Sequence, residues 1–311
     1  MTASAALNQR KLLRSKRGAK LTLYLMLVPA FLYLIANNFL PMLGITIAFK
    51  QIDWQKGIFQ SDWCGLKNFE FLFKTKDAYI MIRNTLAYNA VWIISGIIIA
   101  VTIAIFMSEI GHTRAAKWIQ PAICFPFMLS MVVISYLVYA FISSPTGLLN
   151  NTIFKDSPIS WYQEAKYWPI ILTIVRIWQT SGQNSIVYMA SISGIDKSLY
   201  EAARVDGAGK LQQIWYITLP TIRPTIILML LLQIGRIFNS DFGLFYQVPM
   251  NSGMLYSTTQ TIDTYVYRAL LEMNNIGMSS AASVFQAVLG FLVVILSNWV
   301  IRRIDKESAL F

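Results

Sequence analysis

Two arginines lie inside strongly apolar stretches of the chain, where an ionisable side chain is costly unless it faces a cavity or a partner. Arg176 and Arg236 are each surrounded at helical spacing by amides and hydroxyls. These neighbours are Thr173, Gln179, Thr180 and Gln183 for the first arginine, and Gln233, Asn239 and Ser240 for the second. A third stripe consists of Asn84, Tyr88, Trp92 and Ser95. Guanidinium groups, amides and aromatic faces together suit a hydroxyl-rich ligand such as a sugar.

Two interpretations of these polar residues stay open. They could line a passage for a ligand, or they could hold neighbouring helices together through hydrogen bonds. In the first case the arginines would favour carboxylated sugars, such as uronates or sialylated glycans, unless the nearby Asp241 neutralises one of them. The stretches that carry Arg176 and Arg236 are predicted to run in opposite directions, so both arginines are expected at a similar depth.

The sequence lacks the residue sets that most catalytic and metal sites require. His112 is the only histidine, and Cys64 and Cys124 show no metal-ligand spacing, so zinc sites and catalytic triads are disfavoured. The pattern G-x-x-x-x-G-K-[ST], which cradles nucleotide phosphates, does not occur in the chain. A proton-coupled carrier would place acidic residues deep in its membrane spans, but Glu109 and Asp241 lie near predicted ends. A membrane enzyme and a proton-coupled transporter are therefore disfavoured.

Composition predicts an all-α membrane protein. Of the 311 residues, 56% are hydrophobic and 13% are charged, the latter about half of what soluble domains contain. Six apolar segments are each long enough to cross a bilayer core, which takes about 20 helical residues. The predicted spans are Leu21–Ile45, Asn84–Ser108, Pro121–Phe141, Trp168–Ile192, Thr221–Ile237 and Ala282–Ile301.

The distribution of cations predicts the orientation of these spans. Lysines and arginines concentrate on one set of flanks, whereas the opposite loops mix lysines with acids. The concentrated cations are Arg10, Lys11, Arg14, Lys16, Arg17, Lys20, Arg114, Lys117, Lys197, Arg204, Lys210, Arg223, Arg302, Arg303 and Lys306. The positive-inside rule then predicts that both termini are cytoplasmic and that the two arginines within the predicted spans lie in the outer half of a bacterial plasma membrane. Topology thus accounts for the net charge of +11, so membrane lipid is an expected partner and nucleic acid is not.

The sequence predicts one helical domain without linkers or repeats. We expect a basic cytoplasmic segment at 1–20, a six-helix transmembrane domain at 21–303 and a cytoplasmic tail at 304–311. The first apolar segment is favoured as a retained helix over a signal peptide, because its apolar run is long and no small-x-small cleavage site follows. The longest outer loop, Phe238–Ala281, is expected to pack rather than to extend freely. Trp54, Trp63, Trp161 and Trp168 are expected to lie at the outer membrane boundary.

A polar, glycine-interrupted segment, EAARVDGAGKLQQIWYITLPTIRP from Glu201 to Pro224, separates two apolar ones. Asp196 can cap a short helix that runs to Val205, and Asp206-Gly207 is a turn signal. A second short helix can follow from Lys210, with Pro220 and Pro224 marking the restart into the next membrane helix. The pattern predicts a rigid knob at the cytoplasmic surface, near 196–219.

This segment resembles the EAA signature of permease subunits in ATP-binding-cassette importers. The matching residues are Glu201-Ala202-Ala203, then Asp206-Gly207-Ala208 at the family's spacing, then Ile217-x-Leu219-Pro220 and Pro224. Other stretches are similar to maltose-permease-like sugar importers, particularly the oligosaccharide group related to LplB. These stretches are LVPAFLYLIANNFLPMLGITIAFK from Leu27, NFEFLF from Asn68 and RNTLAYN from Arg83. The resemblance covers most of the chain and implies a type I ABC importer permease fold.

The resemblance also implies the partners and the division of labour. They would be a second homologous permease, an ABC ATPase dimer, an extracytoplasmic solute-binding protein and a carbohydrate substrate. ATP and Mg²⁺ would bind to the ATPases, so this chain would carry no cofactor and no catalytic residue. The coupling contact with the ATPase would be made by Glu201, Ala202, Ala203, Asp206, Gly207 and Ala208. An alternative is a permease for a non-sugar solute such as a peptide or an amino acid, because the signature is shared across such importers.

Overall fold

The structure is a computed structural model that describes residues 24–111, 113–144 and 146–304. The predicted basic segment at 1–20, the first residues of the first span, His112 and the tail from residue 305 lie outside the described residues. Within them, helices form all the regular structure apart from one antiparallel bridge between Lys50 and Trp63. Contacts divide the chain into two units, Met1–Asn68 and Phe69–Phe311.

The described part of the first unit is helix α1 (Tyr24–Phe49) followed by a folded loop. The loop closes on the end of the helix. Lys50 Nζ donates to the carbonyl of Phe59 (2.6 Å), and Asn68 Nδ2 donates to the carbonyls of Ala48 (3.0 Å) and Lys50 (2.9 Å). The loop therefore has a defined shape stabilised by its own hydrogen bonds.

The second unit is a helical assembly. Its main helices are α2 (Lys76–Ile110), α3 (Arg114–Cys124), α4 (Met131–Ile142), α5 (Trp168–Ser193), α6 (Lys197–Val205), α7 (Lys210–Ile234), α8 (Phe242–Gln247), α9 (Ile262–Leu271) and α10 (Ile276–Ile304). Across both units, single helical turns lie at Gly57–Gln60, Lys67–Phe69, Glu70–Lys74, Phe125–Met128, Leu148–Thr152, Ala165–Tyr167, Gly253–Leu255 and Tyr256–Thr259.

Among the described residues, four helices are long and apolar enough to cross a membrane: α1, α2, α7 and α10. Each overlaps one of the predicted spans. The fourth predicted span, Trp168–Ile192, forms α5 to within one residue, and its 26 residues extend about 39 Å. α5 is not among the four because its threonines, glutamines and serines and Arg176 dilute its apolar content.

The single continuous helix predicted for Pro121–Phe141 is wrong. The chain breaks at Leu129 and Ser130, and the helical segments on either side of the break meet at 99°. Pro126 removes a helical N–H, and the Ser130 side chain accepts from the backbone N–H of Val133 to begin a new helix. If the bent pair is one broken span, it is the fifth apolar crossing candidate.

The break predicted at Pro220 and Pro224 is also wrong, because α7 runs continuously from Lys210 through both prolines. The helix widens to π geometry at Ile214–Thr218, directly before Pro220, and the Thr221 hydroxyl donates to the carbonyl of Ile217 (2.6 Å). A wider turn relieves the clash between a proline ring and the carbonyl of the preceding turn, and the threonine hydroxyl adds a hydrogen bond within the widened segment.

The same arrangement occurs in α1. Its π turn at Ile35–Phe39 precedes Pro41, and Asn37 Nδ2 donates to the carbonyl of Tyr33 (3.0 Å). Proline therefore widens these two helices instead of ending them.

Helix α5 packs against α2 more extensively than any other pair in the described unit. Trp92 of α2 meets Thr173 of α5 near one end, and Ala104 clusters with Tyr188 near the other. The two helices therefore run in the same direction.

The loop between α7 and α10 is folded, as predicted. It contains α8 and α9, whose residues Leu244 and Ile262 are fully buried. Two of the four tryptophans are not exposed anchors, and their position relative to the membrane boundary stays a prediction. Trp161 and Trp168 are buried in the core, where Trp168 Nε1 donates to the carbonyl of Trp161 (2.8 Å).

Candidate functional site

A cavity of about 570 Å³ lies among α2, α5, α7 and the turn that follows α7. Its lining is a mixture of aliphatic and polar side chains. The polar and aromatic members are Asn89, Trp92, Arg176, Thr180, Asn184, Gln233, Arg236, Asn239, Ser240 and Asp241. The structure thus brings Arg176 and Arg236, sixty positions apart in sequence, to the same cavity. Their depth in a membrane stays a prediction.

Arg176 is neutralised by a carboxylate. Its Nη1 lies 2.6 Å from Oδ2 of Asp241, and the two side chains are 32% and 26% exposed. The guanidinium also lies 5.6 Å from the centre of the Trp92 ring, and Trp92 Nε1 donates to the Thr173 hydroxyl (3.1 Å). The pairing with Asp241 that the sequence suggested is therefore formed by this arginine.

Arg236 has a different environment. It lies just beyond the end of α7, in a turn, and its side chain is exposed to the cavity. No carboxylate of the described residues lies within 4.0 Å of it. The cavity therefore combines one neutralised and one uncompensated arginine.

Asn89 fixes the turn that carries Arg236, and sequence reasoning missed it. Its Nδ2 donates to the carbonyls of Ile237 (2.8 Å) and Asn239 (2.9 Å). Gln286 of α10 donates to the carbonyl of Phe238 (2.8 Å) in the same turn. An amide inside an apolar segment is the signal that could have singled out Asn89, since it satisfies the criterion that selected Asn84.

A second, mainly apolar cavity of about 510 Å³ lies beside the first along α2 and α5. Asn84 and Tyr88 line it, but their polar atoms are used elsewhere. Asn84 Nδ2 donates to the carbonyl of Gln260 (2.9 Å), and the Tyr88 hydroxyl donates to the carbonyl of Thr258 (2.9 Å). These contacts tie α2 to the loop between α7 and α10, which favours the structural interpretation for this pair.

The remaining predicted path residues divide between the cavity and other surroundings. Gln233 and Asn239 line the larger cavity beside Arg236. Gln179 is buried, and its Oε1 has no hydrogen-bond partner among the described residues. Gln183 is exposed and lines neither cavity.

The polar segment before α7 forms the predicted helix and turn. Asp196 Oδ1 accepts from the backbone N–H of Ser198 (2.9 Å) to begin α6, and this hydrogen bond lowers the pKa of Asp196 below its ordinary 3.8. At the other end Gly207 has a φ of 81°, and the N–H of Ala208 donates to the carbonyl of Ala203 (2.8 Å). This is the Schellman arrangement, for which glycine is favoured because it has no Cβ.

The helix and turn present an exposed surface on a rigid base. Glu201, Ala202, Asp206 and Gly207 are exposed, while Ala203 and Ala208 are partly exposed. Val205 adds an apolar side chain that is 88% exposed.

Three contacts of the described structure attach this segment to the helices behind it. The Tyr200 hydroxyl lies 2.9 Å from that of Thr218, Gln213 Nε2 donates to the carbonyl of Ala208 (3.0 Å), and Lys210 pairs with Glu109. A segment held in this way can transmit rigid-body motion to α7.

Comparison with known proteins gives a consistent result. Residues 96–306 match the family model described as "Binding-protein-dependent transport system inner membrane component". The chain is 32% identical to the polygalacturonan/rhamnogalacturonan transport system permease protein YteP of Bacillus subtilis (strain 168), over 96% of this chain and 94% of YteP. It is 30% identical to Protein LplB of the same organism, over 92% of this chain and 90% of LplB.

A solved structure shares the fold. A chain of a bacterial ABC transporter involved in the import of the acidic polysaccharide alginate superimposes with a TM-score of 0.85. It is 30% identical, and the match covers 94% of this chain and 99% of that one. The resemblance suggested by the segment around Glu201 is confirmed. The chain belongs to the family of binding-protein-dependent transport system inner membrane components, as a permease subunit rather than an ATPase.

Proposed function

We propose that this chain is the transmembrane subunit of an ATP-driven importer and forms the translocation path for an oligosaccharide delivered by an extracytoplasmic binding protein. The observation that carries the proposal is the cavity among α2, α5 and α7, whose arginines, amides and tryptophan suit a sugar. The relatives support the cargo class: besides YteP, an arabinooligosaccharides transport system permease protein, AraP of Bacillus subtilis (strain 168), matches over 93% of this chain.

The proposed topology has six spans, with both termini in the cytoplasm. The spans are α1, α2, the bent pair α3–α4, α5, α7 and α10. The parallel course of α2 and α5 supports a crossing by the bent pair, because the chain must return between their ends. Lys210, Arg302 and Arg303 then lie on the inner side, in agreement with the positive-inside rule.

The proposed coupling site is the exposed surface of α6 and its turn, Glu201 to Ala208. This surface binds in a groove of the ATPase dimer. ATP and Mg²⁺ bind to the ATPase subunits. The Gly207 turn and the contacts of Tyr200 and Lys210 support this role, because they hold the surface firmly against α7. A second homologous permease completes the path in the membrane.

The test is ATP hydrolysis by the reconstituted assembly in proteoliposomes. We expect a binding protein loaded with oligosaccharide to stimulate hydrolysis several-fold over the unloaded binding protein. Stimulation by a peptide-loaded or amino-acid-loaded binding protein alone would instead favour a non-sugar importer. A rate of ATP hydrolysis that is the same with and without the binding protein would refute the proposed function.

Topology has a separate test in intact cells. In a variant without Cys64 and Cys124, single cysteines introduced at Ala208 and Ile153 are treated with a membrane-impermeant maleimide. The proposal predicts labelling at position 153 only. Labelling at position 208 in intact cells would contradict the orientation.

A further inference from the structure

The larger cavity has an unequal distribution of charge. Three ionisable residues line it: Arg176, Arg236 and Asp241. Asp241 compensates Arg176 through the 2.6 Å contact, so the lining retains one positive charge, on Arg236. An uncompensated cation in a site of low dielectric favours a ligand anion.

Asp241 is fixed on Arg176 by the local backbone. Its Oδ1 accepts from the N–H of Leu244 (3.1 Å), which makes Asp241 the N-cap of α8, while its Oδ2 receives the guanidinium of Arg176. Both carboxylate oxygens are thereby engaged. A move of Asp241 toward Arg236 would break both contacts.

Arg236 has a fixed backbone and an available side chain. Its N–H donates to the carbonyl of Gln233 (3.0 Å), and Asn89 and Gln286 hold the next three residues of the turn. Its guanidinium has no carboxylate within 4.0 Å among the described residues. The turn therefore positions a charged group at the cavity surface.

One more carboxylate lies near the turn. Asp263 of α9 accepts from the N–H and the hydroxyl of Ser240 (2.6 and 2.7 Å) and from Gln286 Nε2 (3.2 Å). Asp263 is not part of the cavity lining. It stabilises the turn and forms no ion pair with Arg236.

We infer that Arg236 binds a carboxylate of the cargo, so that the cavity selects an anionic oligosaccharide containing uronic acid over a neutral one. This inference rests on the proposed function. A guanidinium can donate two parallel hydrogen bonds to a carboxylate, which gives both energy and orientation. Gln233 and Asn239, next to Arg236 in the lining, supply amides for the sugar hydroxyls. Arg176 is a positioning residue that holds Asp241 and the start of α8.

The test compares tri-galacturonate with its fully methyl-esterified form, in which a neutral methyl ester replaces each carboxylate. Both are titrated calorimetrically into the purified permease–ATPase complex. We expect the complex to bind the acid about ten- to a hundredfold more tightly than the ester, which is the range of one charge-assisted hydrogen-bonded contact. Arg236→Gln should remove this difference, and Arg236→Lys should retain part of it. Asp241→Asn, which keeps an N-cap residue but frees Arg176, should increase the preference for the acid.

The outcomes separate this inference from the function on which it rests. If Arg236→Gln prefers the acid over the ester as strongly as the unsubstituted complex does, the role of Arg236 is overturned. Binding of acid and ester with the same affinity by the unsubstituted complex would overturn it too. In either case sugar-dependent ATP hydrolysis would still uphold the proposed function. Thermal midpoints of the variants, measured in the same preparations, identify any substitution that unfolds the protein. A folded Arg236→Gln variant that loses affinity for both ligands equally would also overturn the inference.

Discussion

Replacement of Gly182 by alanine tests how closely α3 and α5 approach each other. A Cβ built at Gly182 would lie 2.2 Å from the carbonyl oxygen of Ile123 and 2.6 Å from its carbonyl carbon, whereas ordinary contacts begin at 3.4 Å. The obstacle is backbone, which cannot rotate away, so α3 would have to move by about 1 Å. Overpacking of this kind costs about 1–3 kcal/mol, and alanine regains about 0.5–1 kcal/mol of helix propensity. We expect a net loss of about 1–2 kcal/mol.

Thermal denaturation of the detergent-solubilised protein, followed by size-exclusion chromatography, measures this effect. Gly96 of α2 is the matched control because nothing lies within 4 Å of a Cβ built there. Gly96→Ala should leave the melting midpoint unchanged or slightly raised, and Gly182→Ala should lower it by several degrees. A Gly182→Ala variant as stable as Gly96→Ala would refute the close backbone crossing.

Three further predictions concern the coupling surface and the cavity. Val205→Asp should abolish the stimulation of ATP hydrolysis by the loaded binding protein, because a charge replaces an apolar side chain that is 88% exposed. The control Ile153→Asp changes a side chain that is 71% exposed on another surface and should leave the stimulation intact. A coupled ATPase assay compares the two variants. Asn89→Ala should lower the free energy of unfolding by about 1–3 kcal/mol, since two carbonyls lose their donor, and a denaturation curve that matches the unsubstituted protein would contradict it. The pKa of Asp196 is lowered in the folded protein, so its cap on α6 is fully present above pH 3.8 and is lost as the pH falls through the pKa of the folded state. Hydrogen exchange in α6, corrected for intrinsic rates, should therefore stay slow from pH 8 to about 5. Exchange should also stay slow in Asp196→Asn, which keeps a capping side chain, and should be fast in Asp196→Ala.

Local signals in the sequence were sufficient for several elements. α5 begins at Trp168 and α6 at the Asp196 cap, as the apolar pattern and capping chemistry predict, and the Gly207 turn forms as expected. These features depend on side chains within a few positions of one another. They are therefore visible without any knowledge of the tertiary fold.

Other features depend on direction, which hydropathy does not report. The chain is apolar on both sides of the 99° bend, so only Pro126 and the Ser130 cap indicate where it bends. Conversely, Pro220 suggested a helix end, but a π turn and the Thr221 hydroxyl allow the helix to continue. A proline shows where a helix must adjust and not whether it stops.

The candidate site illustrates the same limit over a longer distance. Arg176 and Arg236 were both suspected of facing a cavity, and both line one. Only the fold shows which of them is compensated, because Asp241 lies 65 positions from Arg176 and only five from Arg236, yet it pairs with the more distant residue. The backbone of α8 decides this choice, since Asp241 must also cap that helix.

Coupling of ATP hydrolysis to import is tested most directly by uptake of a labelled oligosaccharide into proteoliposomes that contain the assembled importer, with ATP enclosed and the loaded binding protein outside. We expect accumulation against a gradient that requires ATP hydrolysis and the binding protein and that Val205→Asp abolishes. Accumulation that persists with a non-hydrolysable ATP analogue, or without the binding protein, would contradict the central claim that this permease couples ATP hydrolysis to import.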